Sequence, residues 1–102
     1  MENTMTTDRE DLEMIEFDHK AVKALGFDHK DKSVWILTFN LVTGNTHITN
    51  TLGTSIDSFM EWRDGKLIQD AFPDTSPEFR EMLLTGYSPQ EQENLYDELR
   101  HH

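Results

Sequence analysis

The chain has 102 residues, which is enough for one domain with a modest hydrophobic core. Its 20 acidic residues outnumber the 9 lysines and arginines and give a net charge of −11 at pH 7, which argues against direct binding of nucleic acid or of an anionic membrane. The absence of cysteine excludes disulfides and thiolate metal sites and suits a reducing cytoplasm.

The two ends of the chain and its charge distribution are the next constraints. Residues 1–11 are polar, without a signal-peptide pattern, and we expect them to be frayed. His101 and His102 resemble the start of a purification tag and carry no functional argument. Residues 33–56 contain no Asp, Glu, Lys or Arg, whereas residues 57–98 contain 11 acidic residues against 3 basic ones. No apolar run approaches the roughly 20 residues of a membrane span.

The first structured part is predicted to be a short strand followed by a helix. The strand is Met14-Ile15-Glu16-Phe17. Asp18 then suits the N-cap of a helix over residues 19–25, and Gly26 suits the end of that helix.

Residues 33–52 predict a β-hairpin. Its first strand, over 33–41, alternates two sets of side chains: Trp35, Leu37, Phe39 and Leu41 on one face, and Val34, Ile36, Thr38 and Asn40 on the other. Residues 42–45 have turn chemistry, and a second strand follows over 46–52. Because a lone hairpin is marginally stable in water, it needs a third strand or a layer of helices. We expect the bulky Trp35 face to pack on helices.

Two helical segments follow the hairpin. Thr54 or Ser55 is the predicted N-cap of a helix that runs to about Arg63. The apolar residues of its buried face are Ile56, Phe59 and Met60. A further helical turn or two is then ended by Pro73. The apolar residues of this second segment are Leu67, Ile68, Ala71 and Phe72.

The last two helices have the clearest boundary signals in the sequence. Ser76-Pro77 and Ser88-Pro89 each place a capping side chain before a proline at the first helical position. Gly86 lies where a residue in the left-handed conformation is expected, directly after the first of these helices. Glu91 forms a capping box with Ser88 at the start of the second. These signals predict helices over about 77–85 and 89–100. Their apolar stripes, which should be buried, are Phe79, Met82 and Leu83, then Leu95, Tyr96 and Leu99.

The predicted fold class is α+β, in a single domain over residues 1–102. A small antiparallel sheet, made of the hairpin over 33–52 with a third strand near 14–17, should pack against three or four short helices. Trp35 and Phe72 are the strongest candidates for its core.

Residues 68–89 carry a resemblance to a known group of proteins. They are similar to a motif of small, mostly uncharacterised bacteriophage proteins, I-Q-D-A-F-P-x-L-S-x-x-E-R-E-x-L-x-T-G-I-x-P-E-x-W. The matching residues are Ile68 to Pro73, Ser76, Arg80, Glu81, Leu83, Thr85, Gly86 and Pro89. Residues that depart from the motif include Thr75, Phe79, Tyr87 and Gln92. The resemblance implies a phage context and carries no activity of its own.

No signature of catalysis or of a cofactor stands out. His19, His29 and His47 lie near acidic residues but lack the spacing of a zinc site. The sequence contains neither a Gly-x-Ser-x-Gly elbow nor a glycine-rich loop that would hold phosphate. We therefore expect no enzyme activity, no cofactor and no bound metal.

The acidic faces of two predicted helices are the main candidates for binding a partner. Their residues are Asp57, Glu61 and Asp64 in the helix that starts near residue 55, and Glu91, Glu93, Asp97 and Glu98 in the last helix. A spacing of about 6 Å between carboxylates one helical turn apart is on the scale of the phosphate spacing in nucleic acid, as in a DNA mimic. Like charges at this spacing destabilise a helix by about 0.2–0.5 kcal/mol per pair, so their retention favours a basic partner. A solvated face that keeps the protein soluble explains the same pattern.

The uncharged hairpin is the second candidate surface. Its predicted outer face holds threonine and asparagine, namely Thr38, Asn40, Thr49 and Thr51, and lacks the lysines that guard edge strands. It would then pair with another copy or with a target strand. Burial under the protein's own helices or N-terminal strand explains it equally well.

These features favour a small, acidic, non-enzymatic binding protein of phage type that acts in the host cytoplasm. We expect it to inhibit a host protein by masking a basic, nucleic-acid-binding surface, as anti-CRISPR proteins do. The alternative is a structural or assembly accessory protein of the phage particle that self-associates, as a homodimer or larger species, through the uncharged hairpin.

Overall fold

The computed structural model describes residues 11–100, which form four strands followed by four helices. The strands are β1 (Leu12–His19), β2 (Val22–Asp28), β3 (Ser33–Phe39) and β4 (Thr46–Thr51). The helices are α1 (Ile56–Arg63), α2 (Ile68–Ala71), α3 (Pro77–Thr85) and α4 (Pro89–Arg100). The predicted α+β class is confirmed. Of residues 1–11, which were expected to be frayed, only Asp11 is among the described residues, and its carbonyl oxygen accepts a hydrogen bond from His29 N at 2.8 Å. The tag expected at residues 101–102 lies outside the described residues.

The sheet is an antiparallel meander with the strand order β1-β2-β3-β4. β3 and β4 are the predicted hairpin, and β1 contains the predicted strand near 14–17. Ile15 pairs with Leu25, Leu25 with Ile36, and Ile36 with Thr49. One row of side chains therefore crosses the whole sheet on the face that packs against the helices, which we call the inner face.

The helix predicted over residues 19–25 is wrong, because most of this stretch belongs to β2. Val22 and Leu25 are both fully buried. Their spacing of three residues is typical of a helix, whereas in a regular strand such residues point to opposite faces. A bulge between Val22 and Ala24 shifts the register, so both buried side chains reach the inner face.

The two faces of the hairpin are the reverse of the predicted ones. Residues on the inner face are Val34, Ile36, Thr38 and Asn40, all buried, with Thr49 and Thr51 half-buried. Trp35 is on the other face and is 37% exposed, so the expectation that it packs on helices is wrong. Asn40 is buried because it folds the loop that follows β3. Its Oδ1 accepts hydrogen bonds from Val42 N at 2.8 Å and Thr43 N at 3.1 Å.

Helices α1, α2 and α3 cover the inner face with a cluster of aromatic rings. The predicted core residue Phe72 is 2% exposed. Its ring centroid lies 4.8 Å from that of Phe59 and 6.0 Å from that of Trp62. The buried apolar cluster consists of Phe17, Val22, Leu25, Val34, Ile36, Phe59, Trp62, Ala71, Phe72, Met82 and Leu83. The sheet and three of the helices therefore share one core.

α3 begins and ends as predicted. Ser76 Oγ accepts a hydrogen bond from Phe79 N at 3.1 Å, and Gly86 ends the helix with a φ of 85°. An added Cβ at Gly86 would lie 2.7 Å from both Asn40 Cα and Phe39 O. This position therefore requires glycine for its backbone conformation and also for its close approach to the end of β3.

α4 has the predicted bounds but buries none of its residues. Its apolar stripe is exposed at Leu95, Tyr96 and Leu99, so the expectation that this stripe is buried is wrong. The first turn is fixed by the predicted capping box, in which Glu91 N donates to Ser88 Oγ at 3.2 Å and Ser88 N donates to Glu91 Oε1 at 2.9 Å. Local hydrogen bonds set this helix, which is why its boundaries were predictable while its packing was not.

Candidate functional site

Glu91 is the residue that attaches α4 to the sheet. Glu91 caps the helix and also contacts the β3–β4 hairpin: its Oε1 lies 3.0 Å from His47 Nε2, and its Oε2 accepts a hydrogen bond from Asn45 Nδ2 at 2.7 Å. The hydrogen bond from Ser88 N and then that from Asn45 hold the pKa of Glu91 below its ordinary value of 4.5. Glu91, which was predicted to contact a partner, is thus largely occupied by bonds within the protein.

Gln92 provides the second attachment of α4. Its Nε2 donates to the carbonyl oxygens of Glu78 and Tyr87, each at 2.9 Å. Gln92 is the N4 residue of α4, so a polar bridge to the α3–α4 corner takes the place of the apolar contact of a hydrophobic staple. α4 is therefore held mainly at its first two turns.

Three of the predicted binding residues line one groove between α4 and the β3–β4 loop. The groove is formed by Glu91, Asp97 and Glu98 together with Thr43, Tyr87, Asn94 and Leu95. Asp97 Oδ1 accepts a hydrogen bond from Arg100 Nη2 at 2.7 Å, whereas Glu93 is exposed and lies outside this lining. α4 as a whole carries four carboxylates against one arginine. An exposed helix with this composition presents a surface that is both acidic and apolar.

The carboxylates of α1 form a separate surface. Asp57 is exposed in the first turn of the helix. Glu61 Oε1 lies 3.2 Å from Lys66 Nζ, and Asp64 Oδ1 lies 3.2 Å from Arg63 Nε. Because two of the three carboxylates already have a cation beside them, the acidic character of this face is weaker than the sequence predicts.

The sheet has an apolar face that no element of residues 11–100 covers, which we call the outer face and which the sequence interpretation missed. It is formed by Leu12, Met14, Ala24, Gly26, Trp35 and Ile48. Met14 and Ile48 are each 69% exposed on the two edge strands. The signal was present in β3, which is apolar on both of its faces, because such strands are typical of sheets that are covered on both sides.

The three histidines within residues 11–100 lie in separate environments. The His19 ring lies 4.5 Å from the Trp62 ring, and burial there, followed by Lys20 and Arg63 nearby, lowers the pKa of His19. His29 Nε2 lies 2.8 Å from Glu13 Oε1, and His47 belongs to the Glu91 network. Over residues 11–100, no group of three or more His, Asp or Glu side chains has the arrangement of a metal site.

Comparison with known proteins adds no family to this description. No protein-family model, curated protein or solved structure matches the chain. Among the helices between residues 11 and 100, none is long and apolar enough to cross a membrane.

Proposed function

We propose that this chain is a small, non-enzymatic binding protein of phage type that masks a basic surface of a host protein, in the manner of anti-CRISPR proteins. The observation that carries the proposal is α4, a helix of 12 residues that buries none of them and exposes carboxylates beside leucines. The chain's net charge of −11 would speed its encounter with a basic partner.

The exposed leucines of α4 support a docking role for this helix. A helix of this length is marginally stable by itself, and most helices in proteins gain stability by burying an apolar face. α4 is instead held by its capping box and the bonds of Glu91 and Gln92, while Leu95 and Leu99 stay exposed at a cost in free energy. A partner that covered these leucines would recover that cost, and its lysines or arginines would pair with the neighbouring carboxylates.

The carboxylates have different roles in this proposal. Glu91 positions the helix, because its oxygens are bonded to Ser88, Asn45 and His47. Glu93, Asp97 and Glu98 supply the charge that meets the partner. Asp57 and Glu61 of α1, with Asp64 at its C-cap, add a longer-range attraction that raises the association rate.

The test is capture of a partner from bacterial lysate with the wild type and with an amide variant of α4. We expect Glu93→Gln, Asp97→Asn and Glu98→Gln combined to weaken binding of the captured protein at least about tenfold and to flatten its salt dependence. The control is Asp70→Asn, Asp74→Asn and Glu81→Gln, which removes three exposed charges elsewhere. Equal losses in both variants would show that only net charge matters, and no loss in the α4 variant would refute the proposed contact.

The runner-up function is a structural or assembly accessory protein that self-associates. The observation in its favour is β4, which lies at an edge of the sheet and contains no lysine, arginine or proline. The threonine and asparagine face that was expected to self-associate lies on the inner face of the sheet, so pairing would use the backbone of the edge strand β4 instead. If the β4 edge of one copy pairs with a different region of the next copy, the assembly does not close into a symmetric oligomer. This function therefore predicts species that grow in size with concentration.

A further inference from the structure

We propose that the outer face of the sheet is a dimer interface, on which a second copy of this chain packs sheet against sheet. This inference goes beyond the masking function, since it concerns the protein alone. Met14, Ile48 and Trp35 are exposed on a face that no element of residues 11–100 covers. A strand that is apolar on both sides, as β3 is, occurs where both faces of the sheet are covered.

The size of the outer face suits a small dimer interface. Four strands about 4.8 Å apart, each about seven residues long at about 3.3 Å per residue, make a face of roughly 19 Å by 23 Å. This footprint of about 440 Å² per partner, to which the projecting side chains add, lies at the low end of specific interfaces, as in a weak or transient dimer. Two such faces would pack about 10 Å apart and give a four-layer arrangement with the helices outermost.

The shape of the face also suits a copy of itself. Gly26 forms the floor of a groove, because a Cβ there would lie 3.2 Å from Leu12 Cδ1 and 3.5 Å from Trp35 Cβ. Met14 projects from β1 beside Gly26, and Ile48 projects from β4, on the far side of Trp35. A two-fold axis through the face would bring the projecting side chains of one copy over the groove of the other, as an isologous interface requires.

The apolar centre of this face suits a second copy better than a basic partner. The register places Glu16 beside Ala24 and Asp28 beside Leu12, so the carboxylates lie at the rim and the centre is apolar. The carboxylates proposed to bind the host protein belong to α1 and α4, in the helical part of the fold. In a sheet-to-sheet dimer they would be separated by both sheets, and charges more than about 8–10 Å apart are largely screened at physiological ionic strength.

Sedimentation equilibrium of the purified chain tests the proposal directly. We expect twice the 11.9 kDa monomer mass at micromolar concentration. Met14→Glu combined with Ile48→Glu should raise the dissociation constant at least about a hundredfold, because the dimer would lose four apolar contacts and bring carboxylates together. The double variant should remain folded by circular dichroism, since both side chains are mostly exposed in the single chain.

A matched control separates the interface from a general effect of charge. Leu67→Glu combined with Leu99→Glu also replaces two similarly exposed apolar residues by Glu, away from the outer face, and should leave the dimer unchanged. Acrylamide quenching gives a second readout, because Trp35 should become protected on dimerisation while Trp62 is already buried. A monomeric wild type, or a dimer that survives Met14→Glu and Ile48→Glu intact, would overturn the proposal. Neither result depends on the host partner, so failure here leaves the masking function standing.

Discussion

Replacement of Gly86 by Ala should be among the most destabilising single-methyl changes in this protein, for two separable reasons. The left-handed conformation at a φ of 85° costs a residue with a Cβ about 1–2 kcal/mol. The new Cβ would also lie 2.7 Å from Asn40 Cα and 2.7 Å from Phe39 O, which are backbone atoms that cannot rotate away. Overpacking of this kind costs about 1–3 kcal/mol, so the total should be about 2–5 kcal/mol. That is a large part of the stability of a domain this small.

Gly44→Ala is the matched control for this prediction. Gly44 has a similar φ of 79°, but an added Cβ there would meet no atom within 4 Å. Urea unfolding followed by circular dichroism should therefore show a loss of about 1–2 kcal/mol for Gly44→Ala and a clearly larger loss for Gly86→Ala. Equal losses would mean that α3 does not approach β3 as closely as described, and that the backbone conformation alone makes Gly86 necessary.

Two further predictions concern the core and the attachment of α4. Phe72→Ala should lower the free energy of unfolding by about 3–5 kcal/mol. Trp35→Ala should lower it clearly less in the monomer, because the Trp35 ring is partly exposed. Chemical unfolding of the two variants at low protein concentration measures this difference. The depressed pKa of Glu91 means that its carboxylate stabilises the folded state above the ordinary value of 4.5 and that this contribution is lost as the pH falls through the lowered pKa. Glu91→Gln should therefore lower the Tm at neutral pH, and its difference from the wild type should shrink in acid. A constant difference across that range would contradict the proposed network.

The boundaries of α3 and α4 were predictable because local contacts determine them. A serine before a proline, a glycine at the C-terminal end and a Glu three residues after a capping Ser each act within one helical turn. Gly86 also illustrates the limit of such signals. The sequence predicted its left-handed conformation, whereas its approach to Asn40 depends on how α3 meets the end of β3.

The errors have a common physical cause, since each concerned contacts or irregularities that the local spacing of residues does not determine. In β3 both faces are apolar, and the burial of Val34 and Ile36 in place of Trp35 depends on the shape of the aromatic cluster from α1 and α2. In β2 a bulge gave a strand the spacing of a helix. The candidate site follows the same rule: the acidic residues were identifiable from sequence, but the use of Glu91 as an internal anchor depends on Asn45 and His47, more than forty residues away.

The two proposed surfaces, α4 and the outer face of the sheet, should respond to salt in opposite ways. Binding of a basic protein by Glu93, Asp97 and Glu98 should weaken as salt rises, because exposed charges are screened. Packing of two outer faces should persist or strengthen, because it buries apolar side chains and because salt reduces the repulsion between two chains of charge −11.

A dimer joined through the outer faces would carry two copies of α4, one on each chain. If the host target is itself two-fold, both copies could bind at once, and affinity would then exceed that of one surface without any new contact. Met14→Glu with Ile48→Glu should in that case weaken host binding even though neither residue touches the host. An unchanged host affinity in that variant would show that each α4 binds independently.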